Sequence, residues 1–519
     1  MTSSLTTRRT FLGASVGALA LAGLAACADP ATSPQPSGRI LPTDPLVAEY
    51  EKRRAASGTT VTHRLSAAPL ETSLQGRGLT TWGYNDGLNG PLLRAQTGDL
   101  LKVSVANDLP EDTSVHWHGL ALRNDADGVQ GVTQDPIAAG GRYTYGFRLS
   151  HPGTYWYHSH FDTQRERALY GALIVEDPNE PLSYDQEWVV ILDDWLDGIT
   201  GTPQDVVEEL SAGMDMSGDM EGMAGMDHGS MSQDSSSGMP MKHMLMGAES
   251  DYLGGDAGDV KIPVHLFNGR PPPSDPDTFS STPGNRIRLR LINAAGDTAY
   301  RVGIPGQELT ITHTDGFPVQ PRQADAVVLG MGERLDVLIT LGDQAVPVLA
   351  LPEGKTGHAY GIITAGPKTT LSGRLPQTLG GTVLDGSRLK AHESVLLPPK
   401  DPTRTHEVRL TGSMMEYDWG INGRRFDPAN PFEGAFELRL DERVRVTMTN
   451  DTDMWHPMHL HGHTFQLADH GARKDTVIIK PRQTIIFDFE ADNPGQWLTH
   501  CHNAYHAEAG MMGVFSYIH

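Results

Sequence analysis

The fold this sequence predicts is all-β, a series of Greek-key barrels or sandwiches, and three observations predict it. Short segments alternate apolar and polar residues, as in Val103-Ser104-Val105-Ala106-Asn107 and Val444-Arg445-Val446-Thr447-Met448-Thr449-Asn450, the period of a half-buried strand. Turn formers are plentiful, with 57 glycines and 35 prolines beside 38% hydrophobic residues, a composition that suits many short strands. One strand-plus-motif unit also recurs along the chain at fixed spacing, the mark of a repeated module. At 519 residues the chain exceeds a single core, and about two to four domains are expected.

Taken in order, residues 1–27 read as an export signal. Arg8-Arg9 precede an apolar run from Phe11 to Ala26, shorter than the ~20 residues that span a bilayer. Thr7-Arg8-Arg9-Thr10-Phe11-Leu12 resembles a twin-arginine signal, and Leu24-Ala25-Ala26-Cys27 resembles a lipoprotein box whose cysteine becomes the lipidated first residue. The expected location is the outer face of the cytoplasmic membrane, with Cys27 as lipid anchor, or the extracellular space, and the expected state is a monomer. Residues 28–60, which begin rich in Pro, Ser and Thr, read as a tether.

The first folded domain is expected over residues 61–178 and the third over 406–519. In the first, Asn107 ends an alternating strand and His116-Trp117-His118-Gly119 follows nine residues later; in the third, Asn450 stands nine residues before His459-Leu460-His461-Gly462. Gly153 precedes His158-Ser159-His160 by five residues, and Gly495 precedes His500-Cys501-His502 by five. The middle domain, residues 179–366, repeats the strand as Arg286-Ile287-Arg288-Leu289-Arg290-Leu291-Ile292-Asn293, but nine residues on it has Val302. It keeps the architecture and lacks the histidines.

Within the middle domain residues 211–256 break the pattern. Ten of the 19 methionines fall between Met214 and Met246, with His228 and His243, among Gly, Ser and Asp. No strand or helix period runs through this segment, so a mobile Met-rich loop is expected. Residues 367–405, with scattered Pro, Gly and Lys, read as the linker into the third domain.

A formal charge of -23 argues against nucleic acid as a partner, which needs a basic face. The two cysteines, Cys27 and Cys501, provide no disulfide framework.

The chemistry is concentrated in the last forty-odd residues, where His456, His459, His461, His500, Cys501, His502, His506 and Met511 crowd together. A thiolate, two imidazoles and a distant thioether match the ligand set of a blue-copper electron-transfer site, and Cys501, His456, His506 and Met511 can provide it. If His500-Cys501-His502 is extended, Cys501 faces one way and both histidines the other. One strand would then serve a metal on one face and further metals on the opposite face. Four His-x-His pairs exist, His116/His118, His158/His160, His459/His461 and His500/His502. One pair is weak evidence, since zinc hydrolases use the same spacing. Four pairs, two in each homologous outer domain, offer eight imidazoles, enough for three metals at the interface of those domains.

These four motifs resemble those of the three-domain bacterial multicopper oxidases, the laccase and copper-resistance oxidase family of actinobacterial type, over essentially the whole mature chain. The resemblance implies three cupredoxin-like Greek-key β-barrel domains and four copper ions. Type 1 copper would be held by His456, Cys501 and His506 with Met511 axial, and type 2 copper by His116 and His459. The two type 3 coppers would take His118, His158 and His502, and His160, His461 and His500. The implied activity couples one-electron oxidation of a substrate to four-electron reduction of O2 to water. Asp127, eleven residues after His116, matches an acidic residue near the cluster in the family. Many relatives carry an acid directly after the last type 1 histidine; here that position is Ala507, and Glu508 follows as a candidate proton relay. On a strand Glu508 would point the other way. Asp453 and Met454, just before His456, resemble the acid and methionine that hold Cu(I) in copper-detoxifying relatives. Cu(I) is the expected substrate, assisted by the soft thioethers of the Met-rich loop, with phenols and dyes accepted as well. A laccase acting mainly on phenols and a copper-sequestering protein are the competing readings.

Overall fold

Three parallel strand pairs begin the three modules. Thr60–Leu74 runs beside Leu100–Asn107, Gln186–Trp195 beside Arg286–Asn293, and Arg404–Thr411 beside Arg443–Asn450. Each second strand is flanked on its other side by an antiparallel one: Arg142–Arg148, Arg334–Thr340 and Thr484–Glu490. A second sheet faces each of these. In the first module it orders Leu93–Gln96, Tyr170–Glu176, Gly153–His158 and His116–His118. In the third it orders Phe436–Leu438, Met512–Tyr517, Gln496–Cys501, His456–Leu460 and Thr476–Ile479. The computed structural model describes residues 38–213, 242–366, 371 and 374–519, and residues 39–519 form one compact unit. Two facing sheets enclose each module's apolar core, the all-β architecture expected.

The repeated asparagine has a structural cause. Asn107, Asn293 and Asn450 are all fully buried. In each, Oδ1 accepts from the backbone N–H two residues on: Leu109 at 3.1 Å, Ala295 at 3.0 Å and Thr452 at 2.9 Å. Nδ2 donates to the carbonyls of Glu111 and Ile137 in the first, of Thr298 and Leu329 in the second, and of Met454, Ile479 and Lys480 in the third. The side chain satisfies backbone groups where a core strand turns out of its sheet, groups that would otherwise be buried unpaired. Val302, at the histidine position of the middle module, is a buried core residue.

Three boundaries differ from the sequence expectation. The tether does not extend to residue 60: Ile40 is 1% exposed, its carbonyl accepts from Gln496 Nε2 at 2.9 Å, and Pro45–Arg53 is a helix. Asp44 caps that helix by accepting from Leu46 N–H, with Pro45 at its first position, a start signal that the Pro-rich composition hides. The described residues at the two edges of 211–256 are folded rather than loop-like. Helix Pro203–Ser211 precedes residue 214, and His243 and Met244 are buried, Met244 in the same apolar core as Met454. Residues 367–405 are not a free linker either. Val383–Asp385 adds a parallel strand to the middle module, and Ala391 is fully buried. The signal, Cys27 and residues 214–241 with most of the Met-rich segment lie outside the described residues. Among the described residues no helix is long and apolar enough to cross a membrane.

Candidate metal centre

Four short strands bring the histidines together. His116 pairs with His158 across the first module's second sheet, and His459 with His500 in the third, with Met458 opposite Cys501. Because side chains alternate, the four His-x-His pairs leave their sheets on one side and meet between the outer modules. Rings of different modules stack there: His116 on His461 and His118 on His459, each with centroids 3.8 Å apart. Ligand atoms of His118, His158 and His502 lie within 4.8 Å of one another, as do those of His160, His461 and His500, and those of His116, His118 and His459. All eight rings converge on one pocket.

The thiol lies on the other side of the strand. Cys501 Sγ is 3.7 Å from His456 Nδ1 and 3.6 Å from His506 Nδ1, and those nitrogens are 3.0 Å apart. Met511 is fully buried in the same cluster and its carbonyl accepts from Cys501 N–H. His506 lies on a short helix, Ala504–Glu508, capped by Asn503.

The nitrogens facing inward are those a metal would need. His116 Nε2, His118 Nδ1, His158 Nε2 and His459 Nε2 are buried with no protein partner, costly in an apolar interior unless a ligand satisfies them. His461 Nε2 and His500 Nε2 stand 3.1 Å apart, two ring nitrogens at a distance that a shared ion explains. The opposite ring nitrogens are held. His116 and His459 donate through Nδ1 to the carbonyls of Asp127 and Asp475, both at 2.9 Å, and His158 to that of Ser159 at 2.8 Å. His461 donates to Asp127 Oδ2 at 2.9 Å, His506 to Asp259 Oδ2 at 2.8 Å, and His456 to Thr452 Oγ1 at 2.8 Å. Such outer contacts fix ring orientation and which nitrogen is free to ligate. Burial, then neighbouring rings, holds His118, His158, His461 and His500 well below the ordinary imidazole range and brings His160 to about 3. These rings are neutral, the form that binds metal. At His506 burial pulls downward but the Asp259 carboxylate overcomes it, carrying the ring to about 10. Ten buried or half-buried imidazoles, two of them beside one thiol, make a donor set that fits copper.

Asp127 is fully buried, and its carbonyl and carboxylate orient one ring from each outer module. Glu508 departs from the strand expectation because residues 504–508 are helical. Its side chain lines a cavity of about 390 Å³ together with His158, His160, His500, Asp162, Arg165 and Glu166. Glu508 reaches solvent at that cavity yet has protein on most sides, which with the charge of Asp162 raises its carboxyl to about 7. Asp453 and Met454 do not form a common surface site. Asp453 points into solvent and pairs with Arg482 at 2.6 Å, while Met454 is buried in the third module's core. Thr452 is the residue of that loop that reaches His456.

Sequence reasoning missed Asp259, Asp475, Arg334, Thr452 and Arg165. Asp259 is 247 positions from His506, and Arg165, whose Nη1 lies 3.0 Å from His502 Nδ1, is 337 positions away. No local spacing announces such contacts.

Three family models, each described as multicopper oxidase, match residues 69–180, 187–349 and 398–518. The chain is 41% identical to multicopper oxidase MmcO of Mycobacterium tuberculosis, covering 98% of this chain and 96% of that relative. It is 29% identical to a copper resistance protein A homolog of Pseudomonas syringae pv. tomato, covering 86% and 90%. Among solved structures, the multicopper oxidase Fet3p superposes with a TM-score of 0.71 at 20% identity, covering 88% of this chain and 90% of that one. The laccase from Botrytis aclada gives 0.70 at 24%, covering 90% and 89%.

Proposed function

Because the chain belongs to the multicopper oxidase family, of the bacterial laccase and copper-resistance type, we propose that it couples one-electron oxidation of a substrate to reduction of O2 to water, using four copper ions. Cys501, His456 and His506, with Met511, would hold one. His116 and His459 would hold a second. His118, His158 and His502, and His160, His461 and His500, would hold the other two. Bound copper supplies one-electron chemistry at the thiolate site and oxygen reduction at the histidine cluster. The observation that carries this reading is the back-to-back placement of Cys501 and its two flanking histidines.

The protein's own groups do the rest. Peptide bonds on either side of Cys501 join the thiolate site to His500 and His502 by a short covalent route. Buried walls around the cluster keep bulk water from seven of its eight rings, and His160 is partly exposed on the cavity. Asp127 holds His116 and His461 in place. Glu508, on the cavity that reaches His160 and His500, is placed to pass protons inward.

Cu(I) is the proposed substrate, supported by the copper-resistance relative and by the methionine-rich composition of residues 214–246; phenols are the second. With Asp453 and Met454 facing apart, Cu(I) recognition falls to other groups, among them the exposed Met246 and Met415. The twin-arginine-like and lipoprotein-like motifs support export and a lipid anchor at Cys27. An oxygen electrode tests the activity: four Cu(I) oxidised per O2, without hydrogen peroxide, is the expected balance, and peroxide as the main product would refute it. Deleting residues 214–241 should lower Cu(I) turnover more than phenol turnover; equal losses would remove Cu(I) as the dedicated substrate.

A further inference from the structure

We infer that Arg334, from the middle module that contributes none of the ligating histidines, is a positioning residue for the histidine cluster: its two-pronged grip on Asp475 fixes which nitrogen of His118 and of His459 is left free to bind metal. The inference rests on the reading of that cluster as a copper site.

Arg334 Nη1 donates to Asp475 Oδ1 and Nη2 to Oδ2, both at 2.7 Å. The same Oδ1 accepts from His118 Nε2 at 3.1 Å, and the Asp475 carbonyl accepts from His459 Nδ1 at 2.9 Å. With those two nitrogens protonated, the lone pairs sit on His118 Nδ1 and His459 Nε2, which are the two left without a protein partner. Thr476 Oγ1, which donates to Asp475 Oδ1 at 2.9 Å, lies 3.0 Å from His118 Nε2 and 3.1 Å from His459 Nδ1. Asp475 and the hydroxyl it orients thus together select opposite tautomers in two rings that come from different modules and stack at 3.8 Å. Arg334 is itself anchored to the first module, its Nε donating to the Thr154 carbonyl at 3.1 Å, and it is fully buried. All three modules therefore meet at this guanidinium.

Gly119 supplies an independent sign. Its φ is +86°, and a Cβ there would lie 2.3 Å from Arg334 Nη2 and 2.7 Å from Asp475 Oδ2. The glycine that closes His116-Trp117-His118-Gly119 makes room for the fork. Lysine, a single point charge on a flexible stem, does not reproduce a bidentate grip on a carboxylate.

Three copper-loaded variants test this beside the wild type: Arg334→Lys, Asp475→Asn and, as control, Arg288→Lys. Arg288 makes an equally buried pair with Asp336 at 2.6 Å that touches none of the eight cluster histidines. The readouts are bound copper per chain, the visible band of the Cys501 site, and the electron paramagnetic resonance signal of copper outside that site. Arg334→Lys and Asp475→Asn should keep the visible band, bind cluster copper roughly 10–100-fold more weakly and shift its resonance signal. Arg288→Lys should lower only the thermal midpoint. Asp475→Asn, which keeps the side chain's size, decides the matter if Arg334→Lys does not fold. Wild-type copper content and resonance in the two fork variants, or an equal shift in the control, would overturn the inference. Absence of the Cys501 band from the wild type would instead overturn the copper reading beneath it.

Discussion

Cys501 and His500 are adjacent in the chain and serve opposite sites: the Cys501 sulfur lies 3.6 Å from His506 Nδ1, while His500 Nε2 lies 3.1 Å from His461 Nε2 on the far side of the strand. A period of two along an extended backbone suffices to build this. Two donor sets are held at a fixed separation by covalent geometry, with no loop between them to drift.

Asp127→Asn should impair the cluster without unfolding the protein. The amide is nearly isosteric and the backbone contact to His116 survives, but the charged acceptor for His461 Nδ1 is lost. A drop of roughly 10–100-fold in cluster copper affinity or turnover is expected, read by copper analysis and by O2 consumption, with the Cys501 visible band retained.

Glu508→Gln should lower kcat for O2 reduction by about tenfold or more and leave KM for the reducing substrate unchanged. Steady-state kinetics with a phenol checks this. A change confined to KM would place Glu508 at substrate binding instead.

Asn293→Ala isolates the architectural role of the repeated asparagine, because the middle module carries no ligating histidine. Its removal leaves the Ala295 N–H and the Thr298 and Leu329 carbonyls short of a buried partner, at a cost of about 1–3 kcal/mol. A lower unfolding midpoint with unchanged copper content is the expected result.

Asp336 gives the middle module an acid-sensitive anchor. Burial would raise its carboxyl, but Arg288 and Arg290 outweigh that and hold it at about 2, below the ordinary 3.8. A depressed acid stabilises the fold above its unfolded value, so this contribution is complete above pH ~4 and is lost as pH falls toward 2. Asp336→Asn should cost about 1–3 kcal/mol at neutral pH, since it takes one of two carboxylate partners from buried Arg288 and Arg290 and leaves Glu180 and Glu187 to hold them. It should also flatten the fall in stability between pH 4 and 2, followed by denaturant unfolding at each pH.

What the sequence made legible was local and periodic. Asn107, Asn293 and Asn450 mark equivalent strand ends because each performs the same backbone capping, and the His-x-His spacing follows from the strand pleat. What it hid was contact across modules. Asp259, Arg334 and Asp475 look like ordinary charged residues until folding sets Asp259 against His506, Asp475 against His118 and Arg334 against Asp475. The direction of Glu508 is not legible from alternation along His500-Cys501-His502, because the strand ends at Cys501 and Asn503 caps a helical turn. The helix at Pro45–Arg53 was obscured by the Pro- and Ser-rich residues before it, although Asp44-Pro45 is a helix start.

The most direct test is Cys501→Ser, with the copper-loaded variant compared with wild type by visible absorption and copper analysis. The account predicts that the intense band of copper–thiolate bonding disappears while the histidine cluster keeps its metal, about three of four coppers per chain. A band that survives the substitution, or loss of all copper together with the thiol, would contradict it.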